Sequence, residues 1–226
     1  MKKYLKYLLL FFVIGIVFSY SHVHNTPTSK VIIKDSEVQN VVDDLRTQYN
    51  NNDIVGTIEI DGTDINEIVV QADDNSYYLT HDLYKNHDIY GSVFLDHRCD
   101  KNSKKLLVFG HNDFRDKTPF SELENYMDSE YFKSNQFINF LIDDKLMKFQ
   151  IFSVYIETSD FTYMNLKIDD DQYNQDLLKY KRNSFYDTGV SVSADDRILI
   201  LQTCSNHKDY QKFKDKYLLI FSKLVE

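Results

Sequence analysis

Short apolar runs separated by polar turn residues dominate the chain from Gly56 onwards. Their alternation and length are typical of β-strands, and residues such as Asp61-Gly62 and Asn102-Ser103 mark the turns between them. The predicted strands are GTIEI (56–60), EIVVQA (67–72), GSVFLD (91–96), KLLVFGH (105–111), QFINFLID (136–143), KLMKFQIFSVYIET (145–158), RILILQTC (197–204) and KYLLIFSKLVE (216–226). The fifth and sixth predict a hairpin that turns at Asp143-Asp144. So many short strands favour a mainly β domain built as a closed or nearly closed barrel.

Three segments repeat their apolar residues with helical spacing instead. They are KDSEVQNVVDDLRTQYN (34–50), TPFSELENYM (118–127) and DDQYNQDLLKYKRNSFY (170–186). In the first, Ser36 and Gln39 have the form of a capping box, and the apolar face comprises Val38, Val41, Val42, Leu45 and Tyr49. In the second, Thr118 is the expected N-cap and Pro119 the first helical residue. The third predicts an amphipathic helix inserted before the penultimate strand.

The N-terminus has the character of a membrane segment. Three lysines within the first six residues precede an apolar stretch from about Tyr7 to Tyr20, and no further charged residue follows until Lys30. The length of the stretch is borderline between a signal-peptide core and a short membrane span. The absence of a clear cleavage site favours a retained anchor. The positive residues predict a cytoplasmic N-terminus and an extracellular remainder. We therefore expect a single-pass cell-membrane protein with an anchor at 1–25, a linker and helix at 26–55, and a barrel domain at 56–226.

Composition and charge exclude several other classes of protein. Of 226 residues, 42% are hydrophobic, which is too many for a disordered chain, and the net charge of −9 argues against nucleic acid as a partner. The sequence contains no glycine-rich phosphate loop, no paired cysteines and no His-Glu-x-x-His array. Its runs of aspartate lack the glycine and distal glutamate of a calcium-binding EF-hand loop. We expect no metal and no organic cofactor.

Cys204 closes an apolar strand and is followed at once by the polar residues Ser205, Asn206 and His207. A cysteine in a strand is commonly a small buried hydrophobe, but a thiol at the rim of a barrel can meet a substrate. A nucleophilic cysteine needs a partner that favours the thiolate, most often histidine. Among seven histidines, His111 differs from the others, because the buried-looking strand in LLVFGHN ends in Gly110, which permits a tight exit and places the imidazole at a strand end. Two strand-end residues of one barrel can converge at its rim, although the sequence alone does not show that these two do.

Four segments in the same order resemble the sortases, and most closely the class B sortases of Gram-positive bacteria. VVQADDNSYYLTHDLY with GSVFLDHR resembles the region ahead of the family's histidine, and LLVFGHN resembles its strand-Gly-His-Asn element. FSVYIETSDFTYMNL resembles a strand and loop of the class, and ILQTC resembles the Thr-Leu-x-Thr-Cys signature. The resemblance implies a sortase-like eight-stranded barrel with an N-terminal helix and a helix inserted before the cysteine strand.

The resemblance also implies an activity, that of a cysteine transpeptidase. Such an enzyme cleaves a C-terminal sorting motif, of the Asn-Pro-x-Thr or Leu-Pro-x-Thr-Gly type, after its threonine. Cys204 would form the thioester, and His111 would act as general acid and base. The implied partners are secreted surface proteins that carry a sorting signal and the amine of a cell-wall precursor of the lipid II type.

One departure from the family pattern leaves alternatives open. The family has an arginine on the strand after the cysteine, whereas this chain has no arginine beyond Arg197. Lys216 is our candidate for that position, with Lys214 or Tyr217 as alternatives. A lysine supplies charge without the two-pronged donor geometry of a guanidinium group. The missing arginine keeps open a catalytically weakened extracellular binding domain. A pilin-polymerising sortase also stays open, because the acceptor cannot be read from the enzyme's own sequence.

Overall fold

The computed structural model describes residues 41–113, 115, 118–167 and 169–226. Within these residues, the structure has three α-helices and eight strands, together with short 3-10 helices. The helices are α1 (Val41–Tyr49), α2 (Ser129–Ser134) and α3 (Asp170–Asn183). The strands are β1 (Ile54–Ile60), β2 (Asn66–Val70), β3 (Val93–Leu95), β4 (Lys105–Phe109), β5 (Phe137–Ile142), β6 (Lys145–Glu157), β7 (Ile198–Cys204) and β8 (Tyr217–Leu224).

The eight strands close into a barrel in the order β1-β2-β3-β4-β7-β8-β6-β5. Six of the neighbouring pairs are antiparallel, whereas β2 with β3 and β4 with β7 are parallel. The β4–β7 pair joins segments that lie about ninety residues apart in the sequence. Because parallel strands carry their carboxyl ends to the same edge of a sheet, this pair decides what meets at one rim.

Both faces of the central strands are buried, which explains their continuous apolar character. Alternate residues, such as Leu106 and Leu199, point into the barrel, and those between them, such as Leu107 and Ile200, belong to a second cluster on the outer face. The outer cluster is covered by α1, by α3 and by the segment around Tyr78. The buried residues of α3 are Tyr173, Leu177 and Tyr180. Beyond Ile200 this outer cover ends, and the last residue of β7 is exposed.

Most of the predicted elements are confirmed, including the eight-stranded barrel, the hairpin at Asp143-Asp144, and the helix before β7. The predicted helix start at Thr118 is wrong. The Thr118 hydroxyl accepts a hydrogen bond from Asp113 N–H, and Phe120 N–H donates to the His111 carbonyl, so the chain stays non-helical there. A 3-10 helix then begins at Ser121 and ends at Met127, where α-helix was expected. The capping box at Ser36 lies outside the described residues.

The predicted localisation, a single-pass protein of the cell membrane, needs correction. Within residues 41–226, apart from the four positions left undescribed, no helix has the length and apolar character needed to cross a bilayer. The apolar stretch at 7–20, on which the prediction rested, lies outside the described residues.

Candidate active site

The parallel pairing of β4 with β7 brings the two predicted catalytic residues to one rim of the barrel. Phe109 pairs with Gln202, so the two strands reach this rim together, and His111 and Cys204 each follow two residues later. The pairing continues past the end of β4. Gly110 N–H donates to the Gln202 carbonyl (N···O 3.2 Å), and the Thr203 hydroxyl donates to the Gly110 carbonyl (2.7 Å).

The alternation of side chains places Cys204 on the outer face of the sheet. Ile198 and Ile200 belong to the outer cluster, and Cys204 continues that series, whereas Thr203 points inward and is buried. Opposite Cys204 in the β7–β8 ladder lies Tyr217, and residues paired in this way share a face. The outer face at the rim therefore carries a thiol and a phenol side by side.

Cys204 is an exposed free thiol that is mostly protonated at neutral pH. Desolvation by neighbouring protein atoms raises its pKa above the ordinary value of 9.0, and the negative charge of Asp215 acts in the same direction. The positive charge of Lys216 opposes both by stabilising the thiolate. Because the thiolate is the nucleophilic form, reaction at this sulfur depends on transfer of its proton to a nearby base.

His111 is held by a contact that the sequence did not reveal. Its Nε2 lies 2.8 Å from the carbonyl oxygen of Leu79, in the 3-10 helix Tyr77–Leu79. A carbonyl can only accept a hydrogen bond, so this contact requires a proton on Nε2. The other nitrogen, Nδ1, is then the atom free to exchange a proton. Since the Tyr77–Leu79 segment packs on the outer face, the contact also keeps the imidazole on the side of the sheet that carries Cys204.

A second group that sequence reasoning missed lies behind the thiol. The buried Glu124 carboxylate accepts hydrogen bonds from the Ser205 hydroxyl and from Asn206 N–H, both at 2.7 Å. Two asparagines complete the connection between the loops. The Asn112 amide donates to the Cys204 carbonyl and the Asn206 amide donates to the Asn112 carbonyl, both at 2.9 Å. The residues that follow Cys204 and His111 are thus fixed to each other.

The three candidates for the missing arginine occupy different places around Cys204. Tyr217 is its direct neighbour across the ladder, and burial raises the pKa of the Tyr217 phenol, which stays protonated and able to donate. Lys216 precedes β8, and its carbonyl accepts from Ser205 N–H (2.8 Å). Its ammonium group lies 3.5 Å from the Phe213 carbonyl. Lys214 is exposed on the loop before β8.

Two aromatic side chains of the loop after β6, Phe161 and Tyr163, contact residues of β7 and β8 near Cys204. The rings of Phe161 and Tyr217 meet edge to face with centroids 5.7 Å apart, and the Tyr163 hydroxyl donates to the Gln202 side chain (2.8 Å). Glu157 fixes the start of this loop by accepting three backbone N–H bonds at 2.9–3.0 Å. An ion pair between Asp160 and Lys179 ties the loop to α3.

The other cysteine lacks these features. Cys99 is buried in the inner cluster, burial raises its pKa to about 11, and its thiol lies 3.5 Å from the Lys105 carbonyl. No group of three or more metal-ligating side chains occurs within the part of the chain that the structure describes.

Comparison with known proteins identifies the family. A model of the sortase domain matches residues 58–225. Sortase B of Listeria monocytogenes is 33% identical over 204 residues, covering 86% of this chain and 81% of the relative.

Solved structures agree with this result. Sortase B of Clostridium perfringens superimposes with a TM-score of 0.73 at 27% identity, covering 81% of this chain and 99% of that one. The Staphylococcus aureus sortase B–substrate complex gives a TM-score of 0.74 at 29% identity, covering 83% and 86% of the two chains. The chain therefore belongs to the sortase family, as a cysteine transpeptidase of the sortase B type.

Proposed function

We propose that Cys204 is the nucleophile and His111 the general acid and base of a transpeptidase that cleaves sorting signals after threonine. The observation that carries this proposal is the parallel pairing of β4 with β7, which brings the ends of both strands to one rim. The exposed position of Cys204 and the burial of Cys99 support the same choice of thiol.

Each group has a defined part in the reaction. His111 takes the proton of the Cys204 thiol, and the sulfur attacks the threonine carbonyl carbon to form a C–S bond. The peptide C–N bond breaks as His111 passes that proton to the departing amine. The product is a thioester on Cys204. An incoming amine then attacks the thioester carbonyl, His111 takes a proton from that amine, and the C–S bond breaks as His111 passes this proton to the departing sulfur, which restores the thiol. Because Leu79 holds Nε2, we assign all of these proton transfers to Nδ1.

Two side chains compete for the role of the family arginine, which is to stabilise the oxyanion. Register favours Tyr217, whose protonated phenol lies across the ladder from Cys204. Charge favours Lys216, whose positive charge stabilises the thiolate of Cys204 and so partly offsets the rise in its pKa. Loss of one oxyanion donor typically reduces the rate about 10²–10³-fold. Tyr217→Phe and Lys216→Ala therefore separate the two roles, and Lys214→Ala is the matched control for loss of a lysine nearby.

Solved relatives support the classes of donor and acceptor. One is a sortase B–substrate complex from Staphylococcus aureus, and another is sortase B complexed with triglycine. For this chain we propose a sorting signal of the Asn-Pro-x-Thr or Leu-Pro-x-Thr-Gly type as the acyl donor. The proposed acceptor is an amine of a cell-wall precursor, and the donors are secreted surface proteins.

Quenched peptides of both motif types, incubated with the full chain, test the assignment. We expect cleavage after threonine, and a ligated product when triglycine is added. Cleavage should vanish in Cys204→Ala and His111→Ala and persist in Cys99→Ala, which removes the buried thiol. Full activity of Cys204→Ala would overturn the assignment of the nucleophile. Absence of cleavage of every motif by the wild-type chain would favour the weakened binding domain.

A further inference from the structure

Gly91 lies far from Cys204 in the sequence but directly behind the segment that holds His111. It precedes β3 and adopts a φ of +55°, in the left-handed region that favours glycine. Gly91 N–H donates to the Asp88 carbonyl (3.1 Å), and the next residue, Ser92, donates its N–H to the Tyr78 carbonyl (3.0 Å). The backbone at Gly91 is thus pressed against the Tyr77–Leu79 helix.

No side chain fits at this position without moving that helix. A Cβ atom on Gly91 would lie 2.3 Å from the Tyr78 carbonyl oxygen and 2.8 Å from both the carbonyl carbon and the oxygen of Leu79. These distances are well below van der Waals contact, and the atoms are backbone, so they cannot turn aside as a flexible side chain would. The Leu79 carbonyl is the group that accepts the His111 Nε2–H bond at 2.8 Å.

We propose that Gly91 is a positioning residue for His111. By leaving room for the Leu79 carbonyl, it keeps the proton of the neutral imidazole on Nε2 and leaves Nδ1 available for proton transfer. The consequence for the reaction rests on the proposed function of His111, whereas the contact itself can be measured without any substrate.

Nuclear magnetic resonance of the ¹⁵N-labelled histidine rings in the full chain measures the contact directly. His111→Ala assigns the signal. We expect a proton on Nε2 of His111 that exchanges slowly with solvent, and an unprotonated Nδ1 in the neutral ring. In Gly91→Ala this protection should be lost and Nδ1-protonated imidazole should appear.

Gly189→Ala is the matched control. Gly189 has a similarly positive φ of +72°, and a Cβ added there would meet no atom within 4 Å, so this variant carries the backbone strain without the collision. We expect Gly189→Ala to keep the wild-type His111 signal and the wild-type cleavage rate. For Gly91→Ala we expect kcat to fall at least about tenfold, within the roughly 10²–10⁴-fold that acid–base catalysis supplies.

The possible results separate the two ideas. A wild-type His111 with its proton on Nδ1, or without a protected Nε2 proton, overturns the positioning role even if Gly91→Ala does not fold. An unchanged His111 signal in folded Gly91→Ala also overturns it. If the signal changes as expected but His111→Ala still cleaves peptide, the contact stands and the catalytic role of His111 falls.

Discussion

Glu124 offers a measurable test of how the loop behind Cys204 is held. Its carboxylate accepts from the Ser205 hydroxyl and from Asn206 N–H, each at 2.7 Å, in a largely buried site. In Glu124→Ala both donors lose this partner, but Asn206 is exposed and its N–H can turn to water, whereas Ser205 is buried. A buried unpaired donor costs about 1–3 kcal/mol. We therefore expect a loss of about 1–3 kcal/mol, which is a sizeable share of the roughly 5–15 kcal/mol by which domains are stable.

Urea unfolding of the full chain, followed by circular dichroism, measures this cost. Glu124→Gln keeps an oxygen that can accept both bonds and loses only the contribution of the charge, so we expect a penalty of about 1 kcal/mol. Glu130→Ala is the control, because Glu130 pairs with Lys133 on the surface and such pairs contribute about 0–1 kcal/mol.

The same variants test the link to activity. The Glu124 bonds fix the two residues that follow Cys204, so Glu124→Ala should also lower peptide cleavage under conditions where the protein is fully folded. An unfolding free energy for Glu124→Ala equal to that for Glu130→Ala would refute the reasoning, since it would mean that water or a rearranged loop satisfies both donors.

Three further predictions follow from ionisable groups. A methanethiosulfonate reagent should modify exposed Cys204 and spare folded Cys99, whose pKa is raised to about 11; equal rates by mass spectrometry would contradict this. Lys216→Ala should raise the pH midpoint of Cys204 alkylation and Asp215→Asn should lower it, because the two charges act oppositely on the pKa of the thiol. If neither midpoint moved, neither charge would influence the pKa of Cys204. Burial lowers the pKa of Lys105 from 10.5 to about 8. Between these pH values Lys105 is protonated in the unfolded chain but neutral in the folded one, so the free energy of unfolding should rise with pH. This rise should reach up to about 3 kcal/mol and should be absent in Lys105→Met. Parallel plots of unfolding free energy against pH for the two proteins would argue against a lowered pKa of Lys105.

The order and type of most elements follow from the sequence. The strands are continuous apolar runs because both faces of the barrel are buried, and the hairpin turn coincides with Asp143 and Asp144, of which Asp143 adopts a positive φ. Thr118 shows how local reasoning fails. It resembles a helix N-cap, but its hydroxyl accepts a hydrogen bond from Asp113 N–H instead. A contact of that kind depends on the fold of the whole loop.

Sequence reasoning selected Cys204 and His111 because each stands at the end of a strand, but it did not bring them to one rim. Only the parallel pairing of β4 with β7 does that, across about ninety residues, and no periodicity encodes a partner at such a distance. The sequence also could not predict the contact between His111 and the Leu79 carbonyl, because every residue has a backbone carbonyl. Nor could it predict the register that places Tyr217 opposite Cys204. The sequence by itself determined which residues can react and which segments form strands, because those properties are local. Closure of the barrel decided which residues meet, because strand order and register depend on packing the whole sheet at once.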